Sequence, residues 1–133
     1  MIMRTTEQIF ENWRRIINVY PARLNGKNLR LHFLTRSSEH EKGFMYEPEP
    51  EEDYGKLFIY PGPMNLGFWM KEVPYDLDLV ALDNEMRVME IHRLRANDEE
   101  TTFISRPCMY VVELRSGWSE RNRLELGCKL ELQ

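Results

Sequence analysis

Apolar positions near the start of the chain recur with the spacing of one helix face. The recurring residues are Ile9, Trp13, Ile16, Ile17 and Tyr20. Thr5 and Gln8 have the spacing of a capping box, and Pro21 follows the last apolar position, where a helix is expected to end. The pattern predicts an amphipathic helix over residues 5–20 that packs one apolar face on the domain.

After this segment the hydrophobic period changes to that of a strand. Asn25-Gly26 marks a turn, and the stretch 29–33 then alternates apolar and polar residues as in a half-buried strand. Residues 38–42 favour a short helical turn, which Gly43 would end in a left-handed conformation.

The remaining chain is a series of short segments rich in aromatic and β-branched residues, separated by Pro, Gly, Asn or Asp. The segments are KLFIY, GFWMK, LDLVAL, MRVMEIHRL, TTFIS, CMYVVEL and CKLEL, with a last helical turn in RSGWSERNRLELG. Most connections are too short for crossover helices. The order therefore predicts a mainly β domain, an antiparallel sandwich or barrel, with one N-terminal helix.

Length and charge limit the classes of protein that the chain can belong to. Its 133 residues, of which 42% are hydrophobic, suit one globular domain. The formal net charge of −4 lacks the basic face that a nucleic-acid partner requires. The stretch MIMRTTEQIF has no signal-peptide h-region, and the apolar runs are too short to cross a membrane. We therefore expect a soluble cytoplasmic protein without a membrane partner.

The charge is unevenly distributed along the chain. Residues 1–36 hold seven Lys or Arg and two Asp or Glu, whereas residues 37–54 hold one Lys and seven Asp or Glu. The acidic stretch EPEPEEDY (Glu47–Tyr54) contains two prolines, which favour an exposed extended loop. Such a loop is either simply solvated or a docking site for a basic partner.

Metal and cofactor chemistry finds little support in the sequence. His32, His40 and His92 are isolated, and they lack the paired spacing of a metal site. Cys108 and Cys128 are too far apart for a disulfide framework and are interpreted as small buried hydrophobes. We predict no cofactor and no metal.

The stretch GFWMKEVPYDLDLVALD (Gly67–Asp83) holds most of the candidate binding residues. If Phe68 to Lys71 form a strand, Trp69 and Lys71 share a face, which suggests a surface or cleft wall. Trp69 either packs under another element or serves as a ligand platform. Asp78 lies on an otherwise apolar strand, and we interpret it as accepting backbone hydrogen bonds that fasten the turn EVPYD.

Glu113, in YVVEL, is a second carboxylate in an apolar strand. It either pairs with Lys or Arg on a neighbouring strand or forms an acid/base pair with Asp78, which His92 could join. Spacing alone does not show whether these groups converge. No nucleophile elbow or phosphate-binding glycine loop is present, so no catalytic residue is assigned.

Five short stretches, in order along the chain, carry a resemblance to a known family. They are EKGFMY (Glu41–Tyr46), GKLFIY (Gly55–Tyr60), FWMK with LDLVALD (Phe68–Asp83), YVVELRSG (Tyr110–Gly117) and LGCKL (Leu126–Leu130). Together they resemble the bacterial and archaeal family called domain of unknown function 192, over residues 29–132. The resemblance implies a compact jelly-roll-like β domain with no established activity. It divides the chain into an N-terminal helix and linker, residues 1–28, and a β domain, residues 29–133.

Some polar positions depart from the family pattern. Glu47 stands where the family has Arg, Glu72 where it has Asn, Asp76 where it has Pro, and Cys128 where it has Asp. The residues that match are Trp69, Met70, Lys71, Asp78, Glu113 and Gly117. Either a binding site has changed its preference here, or these positions are structural.

Three classes of function remain open. A non-catalytic binding module for a small molecule or glycan would use Trp69 as a platform, with Met45, Lys71, Asp78 and Glu113 around it. An interaction or assembly protein, for example one associated with a virus or particle, would dock a protein partner or a second copy through Trp13 and Tyr20 of the N-terminal helix or through the acidic loop. A hydrolase-like enzyme would need Asp78 and Glu113 together.

Overall fold

The computed structural model describes residues 18–133. Its strands are β1 (Val19–Leu24), β2 (Lys27–Leu34), β3 (Tyr54–Met64), β4 (Gly67–Phe68), β5 (Leu77–Leu82), β6 (Val88–Leu94), β7 (Thr102–Phe103), β8 (Cys108–Arg115) and β9 (Leu130–Leu132). Two short helices, α1 (Ser37–Lys42) and α2 (Trp118–Arg121), lie between strands. Neither of these described helices has the length and apolar content needed to cross a membrane.

Seven strands form one curled sheet in the order β6-β5-β8-β3-β2-β1-β9, and β4 and β7 form a separate two-stranded ribbon. Pairing in the large sheet is antiparallel except between β2 and β3, which run parallel. The two ends of the sheet meet, because Arg87 and Lys129 form a bridge and the Val88 amide donates to the Cys128 carbonyl. This curl is closer to a barrel than to two sheets packed face to face.

Both faces of the sheet are buried, and strand alternation separates two hydrophobic cores. All six residues of β5 are buried. Leu77 and Leu79 belong to the first core, with Phe44, Phe58 and Met70. The second core lies on the opposite face and includes Val80, Leu82, Leu31, Val112 and Trp118. A polar side chain at the centre of this sheet therefore has little access to water.

The predicted mainly β fold is confirmed, and so is the predominance of antiparallel pairing. A strand or part of one lies in each of the seven predicted segments, and LDLVAL matches β5 residue for residue. Both predicted helical turns are present as α1 and α2, and Gly43 ends α1 with a φ of 48°.

The start of the described chain differs from the prediction. The predicted helix over residues 5–20 falls mostly outside the described residues, but Val19 and Tyr20 lie in β1. Residues 19–28, assigned to a helix end and a linker, form β1 and its hairpin with β2 instead. Pro21 is compatible with this strand because β9 pairs only with residues 22–24, and the Pro21 carbonyl accepts from Gln133.

Candidate functional site

Glu113 lies at the centre of the sheet, where β8 runs between β3 and β5. The register places it opposite Lys56 on β3 and opposite Leu79 on β5. Its side chain therefore points to the first core, and only 4% of the residue is exposed. A carboxylate at this depth requires a partner or a proton.

No residue in the range 18–133 donates a hydrogen bond to the Glu113 carboxylate, and no salt bridge involves it. Its Oε1 atom lies 3.7 Å from the position that a Cβ would take on Gly43. Burial raises the pKa of Glu113 from 4.5 to about 7, and the positive charge of Lys56 only partly offsets this effect. Near neutral pH the group can therefore hold or release a proton.

Glu113 faces a cavity of about 120 Å³ between the sheet and the chain that follows α1. Aromatic rings dominate its walls, and the backbone of Gly43 leaves room where a side chain would intrude. The lining side chains include Phe44, Met45, Phe58, Tyr60, Phe68, Trp69, Met70, Val73 and Leu77. His40, Glu41 and Lys42 of α1 complete the lining. The cavity thus combines aromatic and aliphatic walls with polar surface, and one deeply buried acid lies among them.

Lys56 does not neutralise Glu113 directly, although the two residues are cross-strand neighbours. Its Nζ donates to the Gly43 carbonyl at 2.8 Å and to Glu47 at 2.5 Å. Lys42 donates to the same Glu47 oxygen at 2.6 Å. Burial lowers the pKa of Lys56, although the ion pair with Glu47 acts in the opposite direction. Burial alone would raise the pKa of Glu47, but the two lysines outweigh it and the pKa is lowered. Both lysines are therefore engaged with groups other than Glu113.

Trp69 forms part of the cavity rim and is 44% exposed. It follows the short strand β4, and Lys71 Nζ lies 5.4 Å from the centre of its ring. Met45 lines the same cavity from the segment after α1. Of the five predicted ligand-binding residues, Trp69, Met45 and Glu113 thus line one cavity, and Lys71 contacts its rim.

Asp78 is buried elsewhere and already has its partners. Its carboxylate accepts from the backbone amides of Gly117 at 3.0 Å and Ser119 at 2.9 Å, and from Arg93 Nε at 2.9 Å. The structural interpretation of Asp78 as an acceptor of backbone amides agrees with this geometry. The prediction that Asp78 fastens the turn EVPYD was wrong, since the amides of Gly117 and Ser119 lie just before and within α2. In EVPYD itself, it is Asp76 that accepts a backbone hydrogen bond, from the Ala96 amide.

Asp78 and Glu113 do not converge. Asp78 pairs with Leu114, the neighbour of Glu113 on β8, so their side chains point to opposite faces of the sheet. His92 is on the same face as Glu113, but Leu79 of β5 lies between them, and the His92 side chain contacts Glu90 at 2.9 Å. The acid/base pair considered from the sequence is therefore not formed.

The residues considered for protein interaction have different settings. Trp13 lies outside the described residues. Tyr20 packs on Phe33 with ring centres 4.6 Å apart and is 46% exposed. Within the part of the chain that the structure describes, no cluster of three or more His, Cys, Asp or Glu side chains could hold a metal ion.

The acidic stretch Glu47–Tyr54 is fixed to the domain by ion pairs and backbone contacts. Arg121 binds Glu52 at 2.8 Å, and Arg30 binds Asp53 at 3.1 Å. The Trp118 indole donates to the Glu52 carbonyl at 2.9 Å. Much of its negative charge is thus matched within the chain.

Tyr60, His40 and Gly43 are cavity residues that sequence reasoning did not assign to the site. The His40 ring packs on Tyr60 with centres 4.2 Å apart, and its Nε2 lies 2.7 Å from the Leu34 carbonyl. Burial raises the pKa of Tyr60. Alternation along β3 could have linked Tyr60 to Lys56 and Phe58, but no local signal places α1 over that face.

The fold and the site define a class: small β domains built on one curled sheet, with a cavity over one face and a buried acid at its base. The family model of domain of unknown function 192 (DUF192, "Uncharacterized ACR") matches residues 21–132, and the chain belongs to this family. The predicted resemblance is confirmed, and it begins eight residues earlier than expected because β1 is part of the domain. No curated protein matches the chain.

Two solved bacterial structures are similar to this fold. A protein of unknown function from Novosphingobium aromaticivorans is 26% identical, with a TM-score of 0.80 over 85% of this chain and 84% of that one. A protein from Sinorhizobium meliloti, described as a "putative transcription regulator", is 26% identical with a TM-score of 0.81, over 86% of this chain and 93% of that one.

Proposed function

We propose that the protein is a non-catalytic binding module that receives a small molecule, or the end of a glycan, in the cavity at Glu113. One observation carries the proposal. A buried carboxylate faces an open volume, and the described residues give it no hydrogen bond. A hydrogen bond to a charged group contributes about 1.5–3 kcal/mol, so a ligand that donates one to Glu113 gains from that contact on binding.

The rim supports the same function. Trp69 offers an exposed aromatic face next to the cavity, with Met45 nearby. Aromatic faces stack on sugar and other ring surfaces, while polar groups in the same pocket fix the orientation of the ligand. Catalysis has less support, because the second predicted carboxylate, Asp78, points to the opposite face and already accepts three hydrogen bonds.

The acidic loop gives little support to the alternative of docking a basic partner. Its carboxylates at Glu52 and Asp53 are paired with arginines of the same chain. Docking through Trp13 stays a prediction.

Binding is tested with a fragment mixture of sugars, amines, alcohols and small acids, followed by amide chemical shifts of the labelled protein. We expect at least one fragment to shift the amides of Gly43, Trp69 and Glu113 together. Trp69→Ala should weaken that fragment about tenfold without unfolding the protein. Tyr20→Ala is the matched control, since Tyr20 is 46% exposed but does not line the cavity.

Absence of any hit that shifts these three amides would contradict the proposed function. Equal weakening by Trp69→Ala and Tyr20→Ala would show that the hits bind elsewhere.

A further inference from the structure

We propose that the ligand of this cavity is a small organic cation, whose ammonium or guanidinium group donates hydrogen bonds to Glu113. This inference rests on the proposed binding function and names its ligand class. It stands on the position of the carboxylate, on the rings around it and on the engagement of both nearby lysines.

The hydrogen-bonding capacity of Glu113 sets the first requirement. In its ionised form, which a bound cation favours, the Glu113 carboxylate only accepts hydrogen bonds, so its partner must be a donor. The described residues donate none to it, and its Oε1 atom faces the space beside Gly43. Charge-assisted hydrogen bonds from a cation are about twice as strong as neutral ones, and a desolvated site favours them most.

Aromatic rings beside the carboxylate set the second requirement. A Cβ added to Gly43 would lie 3.6 Å from Phe58 Cζ and 3.7 Å from Glu113 Oε1. The ring and the carboxylate therefore border the same space beside the Gly43 backbone. Phe68 packs edge to face on Phe58 at 5.4 Å, and Trp69 continues the wall to the rim. Aromatic faces attract cations through the ring quadrupole and offer nothing comparable to an anion.

The nearby positive charges leave an anion without a partner. Lys56 donates to the Gly43 carbonyl and Glu47, and Lys42 donates to Glu47. An anionic ligand would have to break one of these contacts and approach Glu113 against like charge. A cation needs no rearrangement of either lysine.

Volume limits the size of the bound group. A cavity of about 120 Å³ has room for several water molecules but not for a large ligand. It accommodates an ammonium or guanidinium group with a short alkyl chain, and a longer amine would extend past Trp69 to solvent. The cation could be a free amine or a lysine or arginine side chain of a peptide.

The test compares three probes of similar size and different charge: propylammonium, 1-propanol and propionate. Each is titrated into the labelled protein, with the amides of Gly43 and Glu113 as the readout. We expect propylammonium to bind at least tenfold more tightly than 1-propanol, and propionate not to bind in the cavity. Glu113→Gln should abolish this preference, while Glu131→Gln, which removes an equal charge from β9, should leave it unchanged.

The outcomes separate the inference from the proposed function. Equal binding of propylammonium and 1-propanol in the cavity would overturn the cation inference and leave a binding module. Tighter binding of propionate would do the same. If sugars or other fragments also fail at this cavity, both proposals are wrong. The comparison of three probes on the natural chain decides the inference even if Glu113→Gln does not fold.

A second titration distinguishes the sources of the cation. Nα-acetyl-lysine methylamide presents the same ammonium group on a blocked amino acid. If this probe binds at least as tightly as propylammonium, the source is a peptide side chain. If it binds tenfold more weakly, the source is a free amine. In both cases the ammonium group must bind at Glu113.

Discussion

Asp78 and Glu113 lie one residue pair apart on neighbouring strands, and both are almost fully buried. The Asp78 carboxylate accepts hydrogen bonds from two backbone amides and from Arg93, so three donors stabilise its negative charge. Glu113 has none of these among the described residues, and burial raises its pKa to about 7. Two similar residues in the sequence thus differ in chemistry because alternation turns them to opposite faces.

Glu113 should make stability depend on pH. Its folded pKa of about 7 exceeds the ordinary value of 4.5, so the folded state retains a proton that the unfolded state has lost. The resulting stabilisation, about 3 kcal/mol, is fully present below pH 4.5 and is lost as pH rises through 7. The positive charge of Lys56 acts in the opposite direction and offsets part of the effect of burial on this pKa.

Urea denaturation at pH 5, 6 and 8 measures this effect. The free energy of unfolding of the natural chain, minus that of Glu113→Gln, should fall between pH 5 and 8. The subtraction removes the contributions of the other titrating groups. A difference that stays constant or rises with pH would contradict the assignment.

Asp78→Asn should loosen the turn at Gly117–Ser119. The amide cannot accept from both backbone N–H groups and also pair with Arg93, so we expect a loss of about 1–3 kcal/mol. Denaturant melts give the loss, and hydrogen exchange at Gly117 and Ser119 locates it. Asp98→Asn is the control, since the Asp98 side chain is exposed and, among the described residues, accepts only from the Glu100 amide. Equal losses in both variants would refute the role of Asp78.

At the scale of elements, the connection between β2 and β3 shapes the site. The parallel pairing of these strands requires the chain to cross over, and α1 with the acidic stretch Glu47–Tyr54 makes that crossing. The crossing carries Gly43 and Met45 to the cavity. Its far end is held by Trp118, which is 1% exposed and donates to the Glu52 carbonyl.

Trp118→Ala is expected to cost about 3–5 kcal/mol, because it leaves a cavity in the second core and removes the anchor of the acidic stretch. Glu52→Gln should cost less than about 1 kcal/mol, since its ion pair with Arg121 is exposed. Thermal and urea melts compare the two variants. Similar losses would mean that the exposed ion pair, rather than the buried ring, holds this segment.

The local sequence pattern predicted most strands and helical turns correctly, but it failed at the N-terminal strand β1. LDLVAL has the composition and length of a buried strand, and β5 follows it residue for residue. The spacing of Ile17 and Tyr20 also fits a helix, but pairing of Tyr20 with Leu31 in β1 and β2 prevails at that position. That pairing joins residues eleven apart, which helical periodicity does not detect.

The candidate site was predictable only in part, for the same physical reason. Trp69, Met45 and Glu113 were identified from residue type, and the structure brings them to one cavity. The separation of Asp78 from Glu113 depends on strand register, which places Asp78 opposite Leu114. Register between distant strands is set by the whole sheet and is absent from any short stretch of sequence.

At the scale of the whole molecule, one sheet supplies residues to both cores. Leu79 and Val80 are adjacent on β5 and belong to different cores, so loss of this strand disrupts both cores at once. We therefore expect the cavity side and the opposite side to unfold together.

The indole N–H signals of Trp69 and Trp118 test this coupling in a urea titration followed by NMR. Trp69 reports on the cavity rim, and Trp118 reports on the second core. Equal midpoints are expected. An earlier midpoint for Trp69 would show that the segment over the cavity opens independently of the sheet.

The bridge between Arg87 and Lys129 also affects how the molecule meets other chains. An open sheet exposes unpaired backbone groups along its outer strands, which are templates for strand addition and aggregation. Here β9 pairs with β1 on one side, and the Leu130 amide donates to the Met86 carbonyl on the other. Three residues of β9 thus cover one edge of β1 and the start of β6, so fewer unpaired backbone groups remain there for strand addition.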